Sequence, residues 1–77
     1  MSRLRVVRYR TMHKLLTKLG FEISRQKGSH VQYRHPDGRA CTVPDHGKKD
    51  LLRPTIRAIL RDIRLTPDQY HQELDDL

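Results

Sequence analysis

One cysteine, one phenylalanine, no tryptophan, and no lysine or arginine beyond residue 65 set the first limits on this 77-residue chain. The single thiol, Cys41, excludes an internal disulfide and argues for a reducing compartment. No apolar run approaches the roughly 18 residues that a membrane span needs. The basic N-terminus lacks the apolar stretch of a signal peptide. A cytoplasmic location is the expectation. A chain this short buries only about 60 to 65% of its unfolded surface, so one domain is expected, with a single layer of side chains between two elements. No repeat or low-complexity segment interrupts it.

What the chain has in excess is positive charge. All 16 Lys and Arg, with five of the nine acids, fall within residues 1–65, which therefore carry +11. Residues 66–77 hold only acids, Asp68, Glu73, Asp75 and Asp76, for −4. A strongly basic body points to a polyanionic partner, most often nucleic acid. The plainer alternative is a basic protein that is merely soluble. Only Tyr9, Phe21, Tyr33 and Tyr70 are available to stack on a base, and Phe21 and Tyr33 read as core. Preference for particular bases should therefore be slight.

Residues 1–10 alternate basic and apolar side chains without a turn signal, which fits either a flexible basic arm or an edge strand. The domain proper is expected over residues 11–77. Thr11 caps a first helix in which Met12, Leu15, Leu16 and Leu19 recur at i, i+3, i+4 and i+7, with His13, Lys14, Thr17 and Lys18 toward solvent. Gly20 ends that helix. Two period-2 segments, Phe21–Gln26 and His30–His35, then read as strands joined by a tight turn at Gly28. A two-residue turn, Gly28-Ser29, pairs Lys27 with His30 but sets Ile23 opposite Arg34. A three-residue turn, Lys27-Gly28-Ser29, pairs Ile23 with Tyr33 and Arg25 with Val31, and is favoured because it keeps apolar residues on one face. It gathers His30, Gln32, Arg34, Ser24 and Gln26 on the polar, open face.

Pro36-Asp37-Gly38 forms the next turn. A third strand, Ala40–Val43, ends at Pro44, and a polar loop, Asp45–Lys49, follows. A second helix begins near Asp50–Pro54, with proline tolerated in its first turn. Its apolar stripe is Leu52, Ile56, Ile59, Leu60 and Ile63, and Arg53, Arg57, Arg61 and Arg64 form a basic stripe on another side. Thr66-Pro67-Asp68-Gln69 is a capping-box start for a last short helix that Tyr70, Leu74 and Leu77 would dock. The result is an α+β fold: helix, three-stranded antiparallel sheet, helix and short C-terminal helix, with both long helices on one sheet face.

The chemistry concentrates in Arg25-Gln26-Lys27-Gly28-Ser29-His30. A cation holds a phosphate, and a histidine moves a proton near neutral pH. That run, with Gly20-Phe21, His35-Pro36-Asp37-Gly38, Val43-Pro44-Asp45-His46 and Leu60, resembles the HicA family of toxins from toxin–antitoxin pairs, over roughly residues 11–65. Two departures are a longer arm before Thr11 and Arg53-Pro54 where the family pattern often has Pro-Gly. The resemblance implies a fold like a double-stranded RNA-binding domain and a ribonuclease that cleaves mRNA. It also implies a HicB antitoxin as partner, and His30 as the match to the family's catalytic histidine.

On that reading neutral His30 takes the proton of an RNA 2′-hydroxyl, and Lys27 with Arg25 holds the phosphate. Arg25, Lys27, Ser29, Gln32, Arg34, Lys48 and Lys49 are the residues expected to bind RNA or its phosphates. Such a reaction calls for no metal or other cofactor. Water, Lys27 or His46 would serve as the acid. Ser29 is a poor nucleophile for His30 to activate, because neighbours along a strand point to opposite faces. His30, His35, Cys41 and His46 match no zinc spacing. Lys48-Lys49 reads equally as a phosphate contact and as a solvated loop. The competing function is an RNA-binding module without catalysis on the same basic surface.

Overall fold

The computed structural model describes residues 3–77, so Met1 and Ser2 of the expected arm lie outside the described residues. The elements run α1 (Tyr9–Lys18), β1 (Glu22–Lys27), β2 (His30–Arg34), β3 (Ala40–Pro44), α2 (Arg53–Ile63) and α3 (Pro67–Asp75). The three strands form one antiparallel sheet in the order β1-β2-β3. Met12, Leu15 and Leu16 of α1 and Ile56, Ile59, Leu60 and Ile63 of α2 cluster with Val31, Tyr33, Cys41 and Val43 of the sheet, all buried. Both long helices therefore cover one sheet face and leave the other open, as the alternation predicts. Each of these large apolar side chains contributes on the order of 1.5–3 kcal/mol by leaving water.

Helix α1 starts two residues before the expected cap. Its N-cap is Arg8, with no side-chain cap, instead of Thr11. Tertiary pairing sets that start: Arg8 bridges Asp50, and the Leu51 N–H donates to the Val7 carbonyl at 2.8 Å. The far end of α1 follows the sequence. The Gly20 N–H donates to Thr17 O and the Phe21 N–H to Leu16 O, closing a Schellman motif around Gly20 at φ +97°. A Cβ on Gly20 would stand 3.0 Å from His35 Nε2. Glycine is needed there twice, for its torsion and for the close approach.

His35 fixes the β2–β3 turn to α1. Its Nε2 lies 3.1 Å from Leu19 O, and its Nδ1 lies 3.1 Å from the Asp37 backbone nitrogen and 2.9 Å from Asp37 Oδ1. Arg39 ties the same turn to α2. It donates to Asp37 at 2.8 Å and to Ile63 O at 2.6 Å, and lies over the Phe21 ring at 5.2 Å. Hydrogen bonds from the Arg39 N–H and guanidinium hold Asp37 below its ordinary range.

The chain before α1 is extended and anchored. Leu4 is buried, its carbonyl accepts from Arg53 Nε at 2.9 Å, and the Arg5 carbonyl accepts from the Tyr70 hydroxyl at 2.7 Å. Helix α3 opens with the expected capping box between Thr66 and Gln69. Tyr70 is fully buried and Leu74 packs on the core, but Leu77 is half exposed and does not dock. Leu52 also departs from expectation. It precedes α2 at 72% exposed, while Leu51, held by its bond to Val7, takes the buried place.

Candidate active site

The β1–β2 hairpin combines the two registers that the sequence presents as alternatives. Lys27 pairs with His30 across a two-residue turn, and Ile23 nevertheless pairs with Tyr33. Both hold because a β-bulge falls between Ile23 and Arg25. The extra residue is Ser24, whose Oγ donates to Gln32 O at 3.3 Å. Gly28 takes the first central position of the turn at φ +58°, where a II′ hairpin demands positive φ. The three-residue turn is thus corrected, and with it the composition of the open face.

Residues directly opposite in a ladder share a face. Lys27, His30 and Pro44 therefore form one row of the open face, Arg25, Gln32 and Thr42 the next, and Glu22, Arg34 and Ala40 the third. Arg25 is opposite Gln32 instead of Val31, so both cations of the run before the turn stand on the histidine's face. Gln26, opposite Val31, and Ser24, in the bulge, leave the place expected for them. Strand β1 is exposed along its length, and Ile23 remains 47% exposed because, among the described residues, β1 is an edge of the sheet with no strand beyond it.

His30 itself is exposed at the first position of β2. Among the described residues, Arg25, Lys27 and Arg34 form no ion pair. Those cations and the imidazole are thus free to meet an external anion. Ser29 lies in the turn, where its carbonyl accepts from the Asp45 N–H at 2.6 Å. That bond holds the following loop against the hairpin tip. Lys48 and Lys49 are exposed in this loop, before the Arg8–Asp50 bridge and short of the first turn of α2. They border the site without joining the sheet face.

Sequence reasoning missed one wall of the site. A shallow groove of about 670 Å³ crosses the sheet, lined by Ser24, Gln32, Arg34 and Thr42 and by Thr55 and Asp62 of α2. Helix α2 thus borders the open face as well as covering the other one. The polar positions Thr55 and Asp62 are spaced seven apart on one helix side, a signal that the arginine stripe obscured. Also missed was a polar cluster under the sheet. The Tyr33 hydroxyl lies 2.6 Å from the Tyr9 hydroxyl and 2.7 Å from His13 Nδ1, so His13 does not face only solvent as expected. Burial, with the bond to Tyr9, pushes the Tyr33 phenol well above its ordinary range. The spacing of Tyr9 and His13 by four on one helix was the available clue.

Of the histidine and cysteine set, Cys41 is buried in the core, where desolvation pushes its thiol up to about 12. His35 is engaged with Leu19. Among the described residues no three His, Cys, Asp or Glu come together in a way that could hold a metal ion. Among the described residues, no helix is long and apolar enough to cross a membrane. The family model for the HicA toxin of bacterial toxin–antitoxin systems matches residues 9–65. No curated protein matches the chain.

Proposed function

The chain belongs to the HicA toxin family, and from that premise we propose that it is a metal-independent endoribonuclease that cleaves mRNA with His30 as its catalytic residue. The observation that carries the reading is the hairpin register: Lys27 stands directly opposite His30, with Arg25 one row further on the same open face.

Neutral His30 accepts the proton of an RNA 2′-hydroxyl. The 2′-oxygen forms a bond to the adjacent phosphorus, and the bond from phosphorus to the 5′-oxygen breaks. A proton from water, or from Lys27 or His46, completes the 5′-hydroxyl, and a 2′,3′-cyclic phosphate remains. The nucleophile comes from the substrate, so no metal-activated water is required. Lys27 and Arg25 hold the phosphate and its growing charge, a type of contribution worth roughly 10²–10³ in rate. Proton removal by His30 is worth roughly 10²–10⁴. The groove along Gln32, Arg34 and Thr42 takes the strand on one side of the scissile bond, and Ser29, Lys48 and Lys49 meet phosphates near the hairpin tip. The family implies an antitoxin partner, which we take to be of the HicB type. Its action and the toxin's then belong to the cytoplasm.

The test is RNA cleavage with EDTA present, comparing wild type with His30→Ala at matched RNA binding. Only wild type should cut, leaving cyclic phosphate ends. Products with 3′-hydroxyls, or equal cutting by both proteins, would overturn the assignment of His30. If both bind RNA and neither cuts, the protein is an RNA-binding module.

A further inference from the structure

The two segments outside the family match, residues 3–8 and α3, hold each other. The Arg5 carbonyl accepts from the Tyr70 hydroxyl, the Arg5 N–H donates to His71 Nε2 at 3.3 Å, and the Arg5 guanidinium meets Asp75 at 3.0 Å. Where they meet α2 they leave a groove of about 750 Å³. Arg3, Arg53 and Arg57 line it, with His71, and the one acid in the lining is Asp68. It takes in the first half of the arginine stripe, which the sheet face does not use.

These cations are available to a ligand. Among the described residues, Arg3 and Arg57 form no ion pair. Arg53 uses Nε on the Leu4 carbonyl, which directs the rest of its guanidinium. Because His71 Nε2 accepts from Arg5, the proton of the neutral ring lies on Nδ1 as a further donor. Arg53 and Arg57 are four apart on α2, so like charges stand on one helix face at a small cost in stability. An anion held between them would offset that cost, and planar guanidinium forks suit carboxylates.

The remaining lining argues for a peptide. Pro67 supplies apolar surface inside the groove, over the buried Leu4, and Leu52, the neighbour of Arg53, is 72% exposed. Single-stranded nucleic acid is normally held by stacking bases on aromatic side chains. The ring in this lining, His71, is tied to Arg5 by one nitrogen. We infer that the groove between residues 3–8, α2 and α3 binds an acidic peptide segment of a protein partner, one that alternates carboxylates with apolar side chains.

The probe is a short fluorescent peptide of alternating Glu and Leu, titrated near physiological salt, with oligouridine RNA as competitor. Arg57→Glu should weaken peptide binding at least about tenfold, as loss and reversal of a carboxylate partner implies. The charge-matched Lys27→Glu, on the open sheet face, should weaken it by less than about twofold, since it is remote from the groove. Asp68→Asn, which removes the lone acid, should tighten binding. Arg57 is exposed and unpaired, so the folded state should survive its change, and Arg57→Gln provides a milder second variant. Equal weakening by Arg57→Glu and Lys27→Glu would mean unspecific attraction to a basic body and would overturn the proposal. So would no binding, or displacement of the peptide by oligouridine with the same dependence on Arg57. RNA cleavage by Arg57→Glu should match wild type, so failure here and failure of the catalytic reading are separately visible.

Discussion

The open sheet face and the groove behind α2 are both basic, yet they are built in opposite ways. On the sheet, Arg25, Lys27, His30, Gln32 and Arg34 come from ten consecutive residues, brought to one face by strand pairing. Behind α2, Arg3, Arg53, Arg57 and His71 come from three segments joined only by tertiary contacts. The sheet face carries a histidine able to move a proton beside unpaired cations. The groove carries arginine forks beside apolar surface, and its histidine is held by the backbone. Local pairing supplies the fixed geometry that chemistry needs, whereas a groove between remote segments suits recognition.

The strongest way to separate the two is His30→Ala. Cleavage should fall by roughly 10²–10⁴, read as cyclic phosphate product per unit time, while binding of the Glu/Leu peptide stays unchanged. A loss of both would mean that the two surfaces are one site.

Tyr70→Phe attacks the other side. Removing the hydroxyl that donates to the Arg5 carbonyl should cost about 1–1.5 kcal/mol in denaturant unfolding. Amide exchange of residues 3–8 should quicken and peptide binding weaken. Cleavage, measured well below the melting temperature, should not change.

Lys27→Gln should lower RNA affinity about severalfold and reduce the salt slope of binding by about 1, whereas Arg57→Gln should leave both unaltered. A slope that depends on Arg57 would place RNA on the back of the molecule.

The smallest effect is expected at the end of the arginine stripe. Arg64 adopts left-handed torsions, φ 58° and ψ 44°, at the C-terminus of α2, where the Leu65 N–H donates to Leu60 O. That is the motif Gly20 completes after α1, filled here by a residue with a Cβ. Arg64→Gly should therefore gain up to about 1 kcal/mol in thermal or denaturant unfolding. It should change neither cleavage nor peptide binding, because Arg64 does not line the groove.

Features that depend on neighbours in sequence were legible. The stripe Met12, Leu15, Leu16, the Gly20 stop, the alternation of Val31 and Tyr33, and the Thr66–Gln69 box all stand as read. So does the α+β order. Features set across the fold were not. Arg8 begins α1 because Asp50, 42 residues later, pairs with it. Leu51 is buried in place of Leu52 because the Val7 carbonyl orients it. The hairpin shows the limit most clearly, since a period-2 pattern has no way to express one inserted residue. Each candidate register holds for one part of the ladder, the two-residue turn from Arg25 to Lys27 and the three-residue turn at Glu22 and Ile23, and only the bulge at Ser24 reconciles them. For the candidate site, the residue types were legible and their common face was not.

That bulge has a consequence beyond the face it arranges. Strand β1 is an exposed edge with hydrogen-bonding groups facing outward, which is a template for another chain to add on and the start of aggregation. An irregular, more twisted ladder at Ser24, followed by the charges of Arg25 and Lys27, makes this edge a poor match for a second copy of itself. The same three residues that seat cations beside His30 therefore also help keep the protein from polymerising through its sheet.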